Sequence, residues 1–382
     1  MKCRELIEKI DSLSERYVDL LEEICNIESP TDDKEGVDRV GLYFIEFAKK
    51  QGWTVDVCRQ EFSGDAICIT ANPDAKKPPI AFSGHMDTVH PVGSFGTPAV
   101  RREGGRMYGP GTKDCKGGLA AALLAMDALC QCGFHERPLL LLLQSDEEVG
   151  SALSKKETIR YICKKAEGAD AFLNLEGIRK NTAVLSRKGI LRVRFTVYGK
   201  AAHSSECLSG ANAIAEAAHK IIELEKMKDA AGLTCNCGIV SGGTAPNTVA
   251  DRCEFIADIR FSNQEEKRMA YDAVRIASET VFVDGCRCET EEMSYRPPME
   301  YTERNDALLK RMNAIYKENG LPELSIRHAN GGSDAAYVTE HGIPCVDSIA
   351  VDGAFIHSLN EYADIASIAE AAKRMATVAY CL

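Results

Sequence analysis

A run of five leucines followed by three carboxylates constrains the fold of this chain more than any other stretch. The run Leu139–Leu143 follows Pro138 and leads to the triplet Asp146-Glu147-Glu148. A short, unbroken apolar run is typical of a strand that is buried on both faces of a sheet. Ligands of an open α/β sheet bind at the carboxyl ends of its strands, so the triplet is a candidate ligand site. Taken alone, the triplet could also be a solvated acidic turn.

Other apolar segments of the chain also end in residue types that bind metals. Ile80–Val89 contains Gly84-His85-Met86-Asp87, and Ala169–Leu175 is followed directly by Glu176. Side chains two positions apart on a strand point to the same side, so Asp87 could hold one ring nitrogen of His85 while the other binds an ion. The alternative for His85 alone is a hydrogen-bonded histidine of the core.

Two further candidates lie outside strands. Asp114 precedes an alanine-rich helix that the pattern predicts over 115–129, and its alternative role is that of a helix N-cap. His357 lies in a polar loop near the C-terminal end of the sequence, where the alternative is a structural histidine.

Together these residues form a ligand set of two histidines and three carboxylates. Nitrogen and oxygen ligands of this kind suit two divalent ions, with zinc favoured, and one carboxylate would bridge the pair. Glu147, next to a ligand but outside the set, would then act as the general base on the attacking water. The predicted ligands are His85, Asp114, Glu148, Glu176 and His357.

Composition restricts the class of protein. The net charge of −11 and the lack of a basic patch or nucleic-acid motif argue against DNA or RNA as a partner. No apolar run reaches about 18 residues, so we expect no membrane span. The charged, amphipathic start is unlike a signal peptide, and sixteen cysteines then indicate free thiols in a cytoplasmic protein.

The hydrophobic pattern changes near residue 186 and predicts two domains in 382 residues. From there, strands and helices follow the order β-α-β-β-α-β, which is typical of a ferredoxin-like fold. We therefore predict an α/β protein with a discontinuous catalytic domain of residues 1–186 and 298–382. Its mixed, mainly parallel sheet would be flanked by helices, and residues 187–297 would form an inserted domain.

Seven motifs, in order along nearly the whole chain, resemble one family of di-zinc metallopeptidases and amidohydrolases. This family includes carboxypeptidase G, acetylornithine deacetylase and succinyl-diaminopimelate desuccinylase. The greatest likeness is to the glutamate-releasing carboxypeptidase G branch, through MDTVHPVGSF, GGSDAAY and the use of glutamate at Glu176. The motifs are SGHMDTV, YGPGTKDCKGG, SDEEVGS, LNLEG, GKAAHS, GGTAPNTVAD and IHSLNEY.

The resemblance implies a zinc-peptidase-like catalytic domain with two zinc ions per subunit, which cobalt or manganese could replace. Asp114 would bridge the ions, Asp87 would orient His85, and Glu147 would be the base and proton shuttle. A cis peptide bond is implied after Asp114. The remaining ligands would be divided between the ions as His85 with Glu176 and Glu148 with His357.

For the inserted domain, the resemblance implies a lid that also forms a homodimer. His203 would reach the active site of the partner subunit and stabilise the tetrahedral oxyanion. The alternative for Arg260 and Arg296 is a surface or interdomain salt bridge. The implied substrate-binding residues are Asn247, Arg260, Arg296, Gly331, Gly332 and Ser333.

The implied function is metal-dependent hydrolysis of an amide bond next to a free carboxylate. The substrate would be a small peptide or an N-acyl amino acid, from which a C-terminal, glutamate-like residue is released. The lysine that this branch carries after the Glu176 position has no cleanly aligned counterpart here, so the released residue stays open. The alternatives are an N-acyl amino acid deacylase with the same site and, more remotely, a non-catalytic binding protein.

Overall fold

The computed structural model describes residues 3–229 and 232–382, and it divides into two compact units. The first runs to Leu185 and also contains Tyr301–His328 and Ser333–Leu382, while the second contains Ser186–Glu300 and Ala329–Gly332. These limits differ by a few residues from the predicted boundaries. The larger difference is that residues 329–332, predicted within the catalytic domain, belong to the second unit.

The bounds of the helices in the described residues are α1 (Cys3–Asn26), α2 (Lys34–Lys50), α3 (Lys116–Gln131), α4 (Glu157–Lys165), α5 (Ala213–Leu224), α6 (Gln264–Glu279), α7 (Glu303–Glu318), α8 (Ala335–Glu340) and α9 (Ala366–Cys381). The helix predicted over 115–129 is present as α3, whose limits differ from the prediction by one or two residues.

The strands range from two to ten residues in length. Their bounds are β1 (Thr54–Cys58), β2 (Ala66–Ala71), β3 (Ile80–His85), β4 (Arg101–Glu103), β5 (Arg106–Tyr108), β6 (Leu139–Gln144), β7 (Ala171–Asn174), β8 (Thr182–Arg187), β9 (Gly189–Tyr198), β10 (Thr234–Gly242), β11 (Arg252–Phe261), β12 (Arg287–Arg296), β13 (Ser325–Ala329), β14 (Cys345–Val346), β15 (Gly353–Ala354) and β16 (Tyr362–Asp364).

The first unit is built around a six-stranded sheet with the order β1-β2-β6-β3-β7-β14. The pairs β6–β3, β3–β7 and β7–β14 are parallel, whereas β1–β2 and β2–β6 are antiparallel. The predicted mixed, mainly parallel sheet is therefore confirmed. Because β6 lies between β2 and β3, the leucine run occupies the interior of the sheet.

The leucines of β6 are buried on both faces of this sheet, as predicted. Leu139, Leu141 and Leu143 belong to one core cluster, to which α1, α2, α3, α7 and α9 also contribute. The intervening Leu140 and Leu142 are buried too, at 7% and 0% exposure, and alternation places them on the opposite face.

Helix α3 is the most deeply buried helix segment of the first unit and contacts α1, α9, β3 and β6. It has no polar face, since every residue from Lys116 to Leu129 is buried. Two glycines in its first turn allow close approach of neighbouring backbone. A Cβ atom at Gly117 would lie 2.2 Å from the carbonyl oxygen of Thr112, and one at Gly118 would lie 2.4 Å from that of Leu175.

Two small sheets complete the first unit and were not predicted from the sequence. One has the order β15-β16-β5-β4, and the other pairs β13 with β8. Most strands of the first of these have only two or three residues, which is too short to show an alternating pattern.

The second unit is an antiparallel four-stranded sheet with the order β10-β11-β9-β12 and two helices, α5 and α6. Along the chain its elements follow the predicted order β-α-β-β-α-β. Alternate residues of β9 and β11 are buried against the helices, including Leu191, Phe195, Phe255 and Ile259. Phe195 and Phe255 stack with ring centroids 4.6 Å apart.

Two predictions from composition concern thiols and membranes. All sixteen cysteines are free thiols, as predicted. Within the described residues, no helix combines the length and apolarity that crossing a bilayer requires. The cytoplasmic location stays a prediction.

Candidate metal centre and active site

The carboxyl ends of three neighbouring strands meet at one edge of the large sheet. His85, the last residue of β3, is in register with Gln144, the last residue of β6. On the other side of β3, Ser83 is in register with Asn174 at the end of β7. The acidic triplet and Glu176 follow β6 and β7 directly, so the predicted candidates emerge at the same edge.

A first group of metal-binding side chains contains His85, Asp114 and Glu176. One potential ligand atom from each lies within 4.8 Å of the others. Nε2 of His85 is 3.1 Å from Oδ1 of Asp114 and 3.8 Å from Oε1 of Glu176. The side chain of His85 is 2% exposed, so this group is almost fully enclosed by protein.

A second group contains Asp114, Glu148 and His357, again with one ligand atom each within 4.8 Å of the others. Nε2 of His357 lies 3.2 Å from Oδ2 of Asp114 and 3.2 Å from Oε2 of Glu148. The two groups share Asp114, which presents one carboxylate oxygen to each. The structure thus brings together all five predicted ligands in the predicted pairing.

Electrostatics at the second group reflect two carboxylates and a histidine gathered in a small space. Burial raises the pKa of Glu148 to about 7, with the charge of Asp114 adding to the effect and the bond to His357 opposing it. Hydrogen bonds with Asp114 and then Glu148 raise the pKa of His357 to about 10. Burial alone would raise the pKa of Asp114, but its bonds with His357 and His85 hold it well below the usual range.

Asp87 lies beside the ring of His85, as the sequence prediction required, and has further partners. The closest partner of His85 Nδ1 is the backbone carbonyl oxygen of Asp87, at 2.9 Å, and the Asp87 carboxylate is 3.3 Å away. The carboxylate also accepts hydrogen bonds from the backbone N–H groups of Glu147, at 3.2 Å, and Glu148, at 3.1 Å. Asp87 therefore fixes the backbone after β6 as well as the ring of His85.

Glu147 is part of this anchored backbone and belongs to neither ligand group. Glu147 is 7% exposed, and its backbone carbonyl oxygen accepts a hydrogen bond of 2.7 Å from the N–H of Gly150. The acidic triplet is therefore not a solvated turn, because Asp146 and Glu147 are both buried.

The segment around Asp114 has the backbone that the resemblance implied. The peptide bond between Asp114 and Cys115 is cis. Helix α3 begins at Lys116, and its N-cap is Cys115, which makes no side-chain capping bond. The alternative role of Asp114 as a helix N-cap is therefore wrong.

Five of the six predicted substrate-binding positions, all except Ser333, lie in the second unit together with His203. His203 is exposed, and its Nδ1 is 2.8 Å from the hydroxyl of Ser205. The carbonyl oxygen of Asn247 accepts a bond of 2.9 Å from the N–H of Ser204, so His203 and Asn247 belong to adjacent segments.

The two arginines of this set differ in their surroundings. Nε of Arg260 lies 2.5 Å from Oδ1 of Asp258, and its Nη2 lies 3.1 Å from Oδ2, so the salt-bridge alternative describes Arg260 in this structure. Arg296 ends β12 and is 8% exposed.

The loop Gly331-Gly332-Ser333 divides between the two units. Within the second unit, Arg187 donates to the carbonyl oxygens of Gly331 and Gly332 at 3.2 and 3.3 Å. Ser333 is fully buried in the first unit. Its hydroxyl accepts bonds from Asn174 at 3.0 Å and from the N–H of Ala335 at 3.2 Å, which is a structural role rather than the predicted contact with substrate.

Two side chains that support the site were missed from the sequence. The hydroxyl of Thr31 donates to Oδ2 of Asp87 at 2.8 Å, and no pattern around Thr31 indicates this. Glu361 accepts bonds from the backbone just before and at Asp114. Its place in the IHSLNEY motif, four residues after His357, was the available signal.

Comparison with known proteins agrees with this geometry. Residues 81–380 match the model of Peptidase family M20/M25/M40. Carboxypeptidase G2 of Pseudomonas sp. (strain RS-16) is 30% identical over 356 residues, which cover 91% of this chain and 85% of that protein. Acetylornithine deacetylase of Myxococcus xanthus is 26% identical over 347 residues, which cover 85% of this chain and 87% of that protein.

A solved structure shares the fold of this chain. The crystal structure of aminopeptidase PepT from Bacillus cereus superimposes with a TM-score of 0.78 at 21% identity and covers 96% of this chain and 97% of that one. At this identity the likeness concerns the fold. Because the family match extends over most of the sequence, the chain is an amide-bond hydrolase that belongs to Peptidase family M20/M25/M40.

Proposed function

We propose that this protein is a metal-dependent hydrolase that cleaves an amide bond next to a free carboxylate. It would release a C-terminal, glutamate-like residue from a small peptide or an N-acyl amino acid. The observation that carries the proposal is the pair of ligand groups that share Asp114, with Glu147 beside them. The 30% identity to a carboxypeptidase supports the direction of cleavage.

The side chains present fit two divalent ions. Each group offers one imidazole nitrogen and two carboxylate oxygens, a mixed donor set that suits zinc. Buried carboxylates are costly unless they are paired with positive charge or a metal. We therefore propose two zinc ions, held by the five predicted ligands with Asp114 shared. Cobalt or manganese could replace zinc with the same donors.

Bound divalent ions would polarise the scissile carbonyl and favour ionisation of the attacking water. Glu147 takes the proton from that water and transfers it to the leaving amine. Asp87 holds this glutamate in place through the bond to its backbone N–H. The proton shuttle is thus attached to the end of a buried strand rather than to a mobile loop.

The second unit would supply the contacts to the substrate carboxylate, through Asn247, Arg260 and Arg296. A guanidinium has five N–H donors, so the pairing of Arg260 with Asp258 leaves donors for a second carboxylate. His203 would stabilise the oxyanion. Gly332 stays in this proposal as a neighbour of Arg296 and Gly331 as a neighbour of Arg187, whereas the burial of Ser333 removes it.

A second candidate is deacylation of an N-acyl amino acid by the same site. The 26% identity to an acetylornithine deacetylase favours it. In both reactions the chemistry at the amide is the same, and the two differ only in which side of the bond carries the larger group.

We expect the zinc-loaded protein to hydrolyse substrates that keep a free carboxylate beside the scissile amide. The test is a panel of N-acetyl amino acids, N-benzoyl amino acids and dipeptides, ending in glutamate, aspartate, ornithine or alanine. Product release is measured by chromatography. Faster cleavage of the substrates that end in glutamate would favour the carboxypeptidase activity. Faster cleavage of N-acetylornithine would favour the deacylase activity.

The matched control is the same panel with the terminal carboxylate converted to an amide, which should be cleaved at least tenfold more slowly because the arginines lose their partner. Two results would contradict the proposal. One is absence of hydrolysis across the panel, and the other is removal of N-terminal residues from peptides whose carboxylate is blocked.

We further propose that the protein is a homodimer through its second unit and that His203 acts on the substrate of the partner subunit. The support is indirect. His203, Asn247 and Arg260 are polar residues of a unit that contributes none of the five clustered ligands. A two-fold dimer is also the commonest oligomer among soluble proteins.

Two inactive variants should complement each other if His203 acts across the dimer. Mixing His203→Ala with Glu147→Ala subunits should restore roughly a quarter of wild-type activity, because about half the dimers are mixed and each has one competent site. Removal of an oxyanion donor lowers the reaction rate by some 10²–10³-fold, so the activity of the mixture should clearly exceed that of either variant alone. Activity is measured after subunit exchange, which is verified by tagged pull-down.

The control mixture is Glu147→Ala with His357→Ala. Both residues lie in the first unit, so exchange should restore no activity. If exchange is shown and the His203 mixture stays inactive, His203 does not act across the dimer.

A further inference from the structure

The loop of residues 109–114, which precedes α3, determines the position of Asp114. Asp114 is the residue that both ligand groups share. Helix α3 begins only two residues later, at Lys116. The position of the Asp114 carboxylate therefore depends on the backbone of residues 109–114. Any shift of this backbone would disturb both groups at once.

A single buried carboxylate, that of Glu361, accepts three of the five backbone hydrogen bonds that this loop donates. Its Oε1 accepts from the N–H of Lys113 at 2.9 Å and from that of Asp114 at 3.0 Å. Its Oε2 accepts from the N–H of Gly111 at 3.2 Å and lies 3.1 Å from Nε2 of His90. Glu361 is 1% exposed, and these four partners use the roughly four acceptor positions of a carboxylate.

Glu361 also belongs to the segment that carries His357. The N–H of Ser358 bonds to the carbonyl oxygen of Phe355, and the N–H of Glu361 bonds to that of Ser358, at 3.2 and 3.0 Å. Two successive turns thus connect Glu361 to His357. The side chain of Glu361 consequently joins the two segments that provide Asp114 and His357.

We propose that Glu361 is a positioning residue of the metal centre and that it sets the spacing between Asp114 and His357. The inference rests on the proposed function, since it takes the two groups to bind divalent ions. Glu361 reaches Asp114 through the backbone and is not a ligand in either group. The ion between Asp114, Glu148 and His357 should depend on it most, because Glu361 holds two of that group's three ligand segments.

A glutamine at this position would keep only part of the arrangement. Its amide has one acceptor oxygen, so its NH₂ group would face either the N–H groups of Lys113 and Asp114 or that of Gly111. An unmet bond at a buried donor is unfavourable, and the loop would move to avoid it. Alanine would remove all four bonds.

The test is a zinc titration of the metal-free protein against a chromophoric chelator, with activity not required. We expect two ions to bind the wild-type protein. Glu361→Ala should raise the dissociation constant of the weaker ion by about 10–100-fold, as loss of a residue supporting metal ligands commonly does. Glu361→Gln should give a smaller rise in the same direction.

The matched control is Glu216→Gln in the second unit. Glu216 is also 1% exposed, and its carboxylate accepts from the N–H groups of two consecutive residues, Phe282 and Val283, at 2.8 and 2.7 Å. Its substitution should lower the unfolding temperature of the metal-free protein while leaving both zinc affinities unchanged. A general loss of stability is thereby separated from a specific effect on the metal centre.

Wild-type zinc affinity at both sites in folded Glu361→Ala would overturn the proposal. If Glu361→Ala does not fold, the same titration is made with Glu361→Gln, and wild-type zinc affinity at both sites of that variant would overturn the proposal. If the wild-type protein itself binds no zinc, the proposed function fails, and this result is distinct from a failure of the role given to Glu361.

Discussion

Glu147→Gln should bind two metal ions as the wild-type protein does and hydrolyse its substrate about 10²–10⁴ times more slowly. Glutamine has nearly the size of glutamate but cannot accept the proton of the attacking water. Glu147 also lies outside both ligand groups, so the ligands keep their positions. The measurement combines kcat/KM on the best substrate of the panel with elemental analysis of the same sample.

Asp146→Asn is the matched control in the same triplet. The Asp146 carboxylate accepts bonds from the N–H of Ser154 at 2.9 Å and the hydroxyl of Thr158 at 2.7 Å, and it belongs to neither ligand group. This variant should keep activity within about tenfold of wild type, because it removes no group from the reaction. Loss of one ion from Glu147→Gln would instead make Glu147 a ligand and exchange its role with that of Glu148.

Removal of metal should abolish hydrolysis altogether, which is the largest effect we expect. Without divalent ions, the histidines and carboxylates of the centre pair only with one another, and neither the carbonyl nor the water is polarised. Dialysis against a chelator, followed by addition of zinc, cobalt or manganese, should give loss and then recovery of activity. Full activity in protein shown to be metal-free would refute the hydrolase mechanism.

The two ions should leave in a definite order. The side chain of His357 is 51% exposed, whereas that of His85 is 2% exposed. Water and chelator therefore reach the Asp114–Glu148–His357 group more easily. We expect a partially stripped sample to retain one ion, and mutation of His357 to alanine should leave that ion bound while mutation of His85 should not.

The parts of the structure that follow from local pattern were predictable from the sequence. The leucine run gave a buried strand because alternate residues face two covered sides, as Leu141 and Leu142 do. The rule that strand ends of a parallel sheet meet at one edge brought His85, Glu148 and Glu176 together. Asp114 and His357 lie outside strands, and their residue types and the family resemblance indicated that they complete the set.

What could not be predicted depends on contacts between distant positions. Ser333 follows two glycines and looks like part of a binding loop, yet its hydroxyl is bonded to Asn174, which precedes it by 159 positions. The bonds of Asp87 to the backbone of Glu147 and Glu148 were not predicted, because they form only when β3 and β6 are adjacent. Neither partner leaves a periodic signal in the sequence.

The burial of α3 has a consequence for the order in which a newly made chain can fold. This helix has no face that suits water, and its neighbour α9 begins only at Ala366. Ribosomes add roughly 5–20 residues per second, so the stretch between α3 and α9 takes about 10–50 s to synthesise. For that interval α3 must be shielded by α1 and the sheet alone, or by a chaperone. His357 follows every residue of the second unit in the sequence, so the metal centre can be completed only after that unit has been made.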